Sequence, residues 1–259
     1  MPALSSPAKP DLTALRESLR TLEGRRGKLV LPFGVDSLDA RLPDGGLAHG
    51  AIHEVTGHAQ GAVDGAAAAL FCAGIAARTS GPVMWYVTQP DLFAPALAQA
   101  GLTPDRLIVV RTRNETDLLA AYEEGLRHGS LTAAVAEVGP LSMLASRRLQ
   151  LAAEAGGTLG LILRRWNIAK LAIQFQHPTT ACTRWRVHSL PATSLPVEGV
   201  GRPRWRLDLL RAKGGNPAEF EVEACDAQGR LQDCLAVSAV LAKRLPPSTT
   251  AGERKRAVS

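Results

Sequence analysis

Ala51-Ile52-His53-Glu54-Val55-Thr56-Gly57-His58-Ala59-Gln60-Gly61-Ala62-Val63-Asp64-Gly65 is the stretch on which the fold turns. Ala51 to Val55 reads as a short buried strand, ending at Thr56. Gly57 opens a glycine-rich turn, and Ala62 to Arg78 reads as an Ala-rich buried helix. Strand, turn and helix then repeat. Val83 to Val87, Leu107 to Val110, Leu131 to Val138 and Thr158 to Leu163 read as strands. Leu92 to Ala100, Glu115 to Arg127 and Ser142 to Ala155 read as helices, with Asn114 and Asp117 placed as a capping pair. Near-continuous apolar strands alternating with helices predict a mainly parallel sheet covered on both faces.

The pattern changes after Leu163. Arg164 to Thr180 reads as a long loop. Thr183 to His188, Arg204 to Leu210 and Glu219 to Ala224 read as alternating strands, the last two joined by Lys213-Gly214-Gly215-Asn216. The expected fold is therefore α/β, a mainly parallel sheet with helices on both faces that ends in antiparallel strands. Before it, Asp11 to Glu23 carries Leu12, Leu15, Leu19 and Leu22 at helical spacing, a stripe that must dock on its own domain or on another subunit. The expected division is an N-terminal helix and linker over 1–27, one domain over 28–245, and a disordered basic tail over 246–259.

The 259 residues hold 30 Lys+Arg against 24 Asp+Glu, with 46% hydrophobic residues, which is ordinary globular usage. The charge is uneven. Residues 164 to 213 contain ten bases (Arg164, Arg165, Lys170, Arg184, Arg186, Arg202, Arg204, Arg206, Arg211 and Lys213) and only Glu198 and Asp208 as acids. This window points to a polyanion such as single-stranded DNA, or to an acidic protein partner; the plain alternative is a solvated basic face. Strand alternation puts Trp185 and Val187 opposite Arg184 and Arg186, and Trp205, Leu207 and Leu209 opposite Arg204 and Arg206. The tryptophans read as core. The arginines read as a ladder that binds phosphates or a partner, together with Arg164, Arg165, Lys170, Arg211, Lys213 and Phe175, a residue suited to stacking on bases or packing its loop.

Gly65 to Ala77 is the longest uncharged apolar stretch, too short to span a bilayer. Met1 to Pro10 has no apolar signal region, and Cys72, Cys182, Cys225 and Cys234 form no C-x-x-C pair. A reducing cytoplasm is the expected location, without zinc or disulfides. His177 has no ligand-spaced companion, and Asp36, Asp39 and Asp44 form no metal site, so no metal or cofactor is expected.

A turn between the first long strand and its helix is where a phosphate-binding loop would lie. Laid from Gly57, the pattern G-x-x-x-x-G-K-[ST] puts Ala62 at the second glycine, Val63 at the lysine and Asp64 at the hydroxyl. After Lys28 the next lysine is Lys170, and no Ser or Thr lies between Gly57 and Arg78. The missing lysine would have neutralised phosphate charge and the hydroxyl would have held magnesium, whereas Asp64 repels phosphate. No nucleotide hydrolysis is expected, and the chain reads as a non-enzyme.

The lead-in Pro32-Phe33-Gly34-Val35-Asp36-Ser37-Leu38-Asp39, with Gly45-Gly46-Leu47, Gly50 and Ile52-His53-Glu54-Val55, resembles that of the RecA recombinase core. Gly101-Leu102 and Asp105-Arg106-Leu107 resemble the segment after its next strand. Lys170 to Thr180 resembles a shortened second DNA-binding loop, and Arg204-Trp205-Arg206 through Phe220 the following hairpin. The likeness runs from about residue 28 to 235. It departs from active RecA at each ATPase part: the phosphate loop is lost, Gln89 stands where the catalytic acid would be, the acid of the fourth strand is displaced to Glu137, and Trp166 stands at the switch position. In this degenerate form, with its two Arg-Trp-Arg segments, the sequence is similar to the ImuA family of bacterial SOS mutagenesis cassettes. That resemblance implies a non-catalytic RecA-like accessory protein in error-prone translesion synthesis. It implies as partners an inactive Y-family polymerase relative (ImuB-like) and an error-prone replicative-type polymerase. RecA, single-stranded DNA and further copies of the chain are additional candidates. Two rival readings are a SulA-like inhibitor of cell division and an active ATP-dependent recombinase.

Overall fold

A computed structural model describes residues 29–58, 62–165, 177–192, 199 and 201–234. The predicted N-terminal helix over 11–23, the basic tail, Lys170 and Phe175 lie outside them.

The lead-in forms β1 (Val30–Leu31), a short helix α1 (Asp36–Asp39) and β2 (Leu47–Ala48), with β1 and β2 paired antiparallel. The alternating section follows as β3 (Ala51–Gly57), α2 (Ala62–Ala77), β4 (Val83–Val87), α3 (Ala94–Gln99), β5 (Leu107–Arg111), α4 (Glu115–His128), β6 (Ala133–Val138), α5 (Met143–Gly156) and β7 (Leu159–Arg164). It closes on β8 (Thr183–Leu190), β9 (Arg204–Ala212), β10 (Ala218–Glu223) and β11 (Gln232–Asp233). The nine-stranded sheet runs β11-β10-β9-β8-β3-β7-β6-β4-β5. Strands β3 to β8 are parallel to one another, and β9, β10 and β11 are antiparallel additions. This is the predicted class, with β8 still belonging to the parallel set.

The helices end where their sequences dictate. Asn114 caps α4 by accepting from the Asp117 N–H, and Ser142 caps α5 by accepting from the Ala145 N–H. Both helices stop on a left-handed glycine, Gly129 at φ 77° and Gly157 at φ 69°.

Each face of the sheet has its own core. Helix α2 covers one, where Val55, Phe71, Trp85, Leu161, Trp185, Trp205 and Leu207 are buried together. Helices α4 and α5 cover the other over Ile52, Tyr86, Tyr122, Leu126, Leu149 and Ile162. Trp185 makes edge-on contacts with Phe33 at 5.6 Å and Phe71 at 5.9 Å, the ring planes inclined at 65° and 64°. So the tryptophans are core, as read from strand parity. Arg78, just past the end of α2, lies over the Phe33 ring at 5.0 Å and donates to the Pro32 carbonyl, pinning the lead-in to the domain. Strand β5 departs from the buried-strand expectation: it is an edge strand, and Ile108 and Val109 are about half exposed.

Under this core runs a buried polar chain. Trp185 Nε1 donates to Thr183 Oγ1 at 2.8 Å, that hydroxyl meets His53 Nδ1 at 2.8 Å, and His53 Nε2 meets the Ala48 carbonyl at 3.0 Å. The carbonyl can only accept, so Nε2 carries the proton and Nδ1 accepts from Thr183. Burial pushes the His53 imidazolium down to a pKa of about 4 from 6.5. The unfolded chain therefore binds a proton here at a pH where the folded chain does not. Stability is full above pH 6.5 and falls as pH drops toward 4, by about 3 kcal/mol for this group. Thermal midpoints measured from pH 7 to pH 4 should show that decline, and His53→Gln should flatten it. An equally steep decline in His53→Gln would assign it to other groups.

Candidate nucleic-acid and partner interface

The parallel strands end on one edge of the sheet, where ligands of α/β folds bind. Gly57 ends β3 there and lies directly on the first turn of α2. A Cβ at Gly57 would sit 2.7 Å from the Asp64 carbonyl carbon and 2.9 Å from the Gly65 nitrogen. Ala62 and Val63 are exposed in that first turn. Asp64 accepts from the Ser189 backbone N–H at 2.8 Å. The Asp64 carboxylate thus clamps α2 to β8.

Next to this clamp is a cluster the sequence did not reveal. The rings of His58 and His188 stack with centroids 3.8 Å apart. His188 Nε2 lies 2.5 Å from Asp208 Oδ2, and Arg206 contacts both His188, at 3.0 Å, and Asp208, at 3.2 Å. Partial desolvation, the neighbouring His188 and the cations Arg186 and Arg206 all hold the His58 pKa below its ordinary value. Arg186 is half-buried beside this group. His58, which follows β3, is thereby joined to the β8–β9 hairpin.

A second group occupies the ends of β4, β6 and β7. Arg165 binds Asp91 through two contacts, at 2.9 and 2.6 Å, and Glu137 at 2.6 Å. Glu137 also accepts from Trp85 Nε1 at 2.8 Å. The hydrogen bonds from Arg165 hold the Asp91 carboxyl below the usual range, and those carboxylates raise the Arg165 guanidinium. Together with Gln89, Arg113 and Glu115 these residues line a polar cavity of about 350 Å³. The two positions that resemble altered catalytic sites, Gln89 and Glu137, therefore share one cavity, where Glu137 is anchored by a tryptophan and an arginine.

The third group is internal. Glu54, fully buried in β3, faces Arg164 at 3.5 Å and Arg184 at 3.4 Å, and accepts from the Thr179 hydroxyl. Arg211 donates to the Thr179 carbonyl at 2.7 Å. Burial lowers both the Arg164 and Arg184 guanidinium pKa values, and Glu54 draws them back up. Glu54 thus ties Arg164, at the end of β7, and Thr179, ahead of β8, to the central strand.

These contacts place two of the arginines expected on an outer ladder, Arg164 and Arg184, inside the protein. Arg164 is 2% exposed and Arg184 8% exposed, so neither presents its charge to a phosphate. Arg165 is held by Asp91 and Glu137. Arg204 pairs with Glu221 at 2.6 Å, Arg202 with Glu223 at 3.3 Å, and Arg206 with Asp208. The excess of bases between residues 164 and 213 is real along the chain. In space part of it is offset by Glu54, Asp91, Glu137, Glu221 and Glu223, which lie outside that window. Lys213 continues from β9 and donates its backbone N–H to the Cys182 carbonyl at 2.8 Å. One signal did point to the internal group: Glu54 is a lone acid inside an apolar strand, which requires a charged partner.

Among the described residues no helix is long and apolar enough to cross a membrane. Nor do they contain a group of three or more His, Cys, Asp or Glu arranged to hold a metal. Protein ImuA of Caulobacter vibrioides strain NA1000 / CB15N is 38% identical to the chain over 206 residues, covering 76% of this chain and 84% of that protein. The chain belongs to the ImuA family. Protein ImuA of Caulobacter vibrioides strain ATCC 19089 / CIP 103742 / CB 15 matches equally well. No family model matches. The RadB recombinase crystal structure is similar at a TM-score of 0.53 and 14% identity, covering 78% of this chain and 99% of that one. The ImuA-family chain thus has a RecA-like fold.

Proposed function

We propose that this ImuA-family chain is a non-catalytic RecA-like scaffold in damage-induced, error-prone lesion bypass. It would dock on an inactive Y-family polymerase relative and on an error-prone replicative-type polymerase. The observation that carries the reading is the Asp64–Ser189 clamp. A carboxylate that accepts from a β8 amide at the first turn of α2 supports a role that needs no nucleotide cycle. Losing one preorganised donor costs ~3–4 kcal/mol of transition-state stabilisation, and here the lysine and the metal ligand are both replaced.

Two measurements on the same protein test this. The purified chain should turn over no ATP above buffer background, with or without single-stranded DNA. In cells, loss of the chain should return ultraviolet-induced mutation to the spontaneous level, and the wild-type chain should restore it. ATP turnover by the purified chain would remove the non-catalytic part of the reading. Damage-induced mutation that persists without the chain would remove the lesion-bypass part.

A further inference from the structure

Helix α5 presents a partly apolar face to solvent. Leu144 is 73% exposed, Leu151 58% and Met143 46%. Leu144 and Leu151 are seven residues apart and so lie on one stripe, which Arg148 and Ala155 continue. Arg148 on the stripe is held by Glu123 of α4 at 2.6 Å, whereas Arg147 beside it is exposed. The inner side of the helix is separately satisfied: Leu149, Ala152 and Ala153 are buried in the core. The exposed leucines are thus surplus to the packing of the domain.

We infer that the leucine stripe of residues 11–23 of the same chain docks on this face of α5. Three observations select that occupant. First, Leu12, Leu15, Leu19 and Leu22 fall within one narrow arc of a helix, with Asp11 at its edge as a counter-charge for Arg147. Second, the chain joins the domain at the right place. The Leu29 carbonyl accepts from the His49 N–H, and the next residue, Gly50, lies against Ala153, Glu154 and Gly157 at the C-terminal end of α5. Residues 24–28 span at most ~17 Å, enough to lead a preceding helix back along α5 in parallel. Third, the lengths match. As a helix, residues 11–23 would extend ~20 Å, and the fourteen residues of α5 extend about as far. The chain's other end is badly placed for this role. It leaves the described residues beside β11, at the edge of the sheet, with β10, β9 and β8 between it and β3. In parallel alignment Leu22 reaches Leu151 and Ala155, and Leu12 and Leu15 reach Leu144 and Met143.

Hydrogen–deuterium exchange of the full chain, read by mass spectrometry at several protein concentrations, tests the docking. Amides of 11–23 should exchange about tenfold more slowly than an open chain, independently of concentration, with a monomer mass by light scattering. Leu144→Asp combined with Leu151→Asp should abolish that protection, while β6 and β7 stay protected and so report a folded domain. Leu12→Asp combined with Leu19→Asp should abolish it too. The inference fails if residues 11–23 exchange freely in the wild-type chain, or if they stay protected in the α5 variant. It also fails if their protection grows with concentration alongside a doubled mass, which would place the stripe on a second copy.

Discussion

Glu54→Ala is expected to lower the thermal midpoint by about 10 °C. Removing one partner of a buried ion pair costs ~3–5 kcal/mol, because the other charge stays buried without compensation. Here one carboxylate serves two guanidinium groups, Arg164 and Arg184, and also takes the Thr179 hydroxyl. For a domain of this size each kcal/mol moves the midpoint by ~2–4 °C. Glu54→Gln keeps an acceptor for Thr179 yet leaves both arginines without a counter-charge, so it should lose most of the same stability. The triple variant Glu54→Leu, Arg164→Met, Arg184→Met removes all three charges together and should recover much of the loss. Differential scanning calorimetry decides the matter. A midpoint within 2 °C of wild type in Glu54→Ala would show that the cluster is solvated and does not tie β3, β7 and β8 together.

Trp185→Ala should be comparably damaging for a different reason. The indole is fully buried among Phe33, Phe71 and Phe220, with ring centroids 5.6, 5.9 and 6.5 Å away. Truncating a buried aromatic costs ~3–5 kcal/mol through lost transfer energy and the cavity left behind. The indole N–H is also the first donor of the chain through Thr183 to His53, so its removal leaves buried polar atoms to rearrange. Trp185→Phe keeps the ring but drops the donor and should fall between the two. Urea denaturation gives the comparison directly. A loss under 1 kcal/mol in Trp185→Ala would mean that the aromatic cluster does not hold the lead-in against α2 and β8.

Both predictions concern residues whose roles were unequally visible in the sequence. The burial of Trp185 followed from alternation along one strand, because parity assigns faces without knowledge of neighbours. The same parity placed Arg184 on the other face, and that is correct. Its reading as an outer face failed because β3 and β7 continue the sheet beside it, and Glu54 and Arg164 share that face. Glu54 and Arg164 are 110 residues apart, so no local pattern joins them. Likewise the Ile108-Val109 run gave no sign that β5 ends the sheet, since strand order is set by crossovers rather than by composition.

The covalent order of residues by itself settled the alternation of strand and helix, the two-sided apolar core, and the absence of any lysine, serine or threonine between Gly57 and Arg78. These depend only on period and residue type, which the chain carries locally. Tertiary structure alone decided that Asp64 bonds to Ser189, that His58 stacks on His188, and that part of the basic window pairs with Glu54, Asp91, Glu137, Glu221 and Glu223. Charge pairing acts across a few ångströms of space, and folding, not the sequence window, determines which charges come that close.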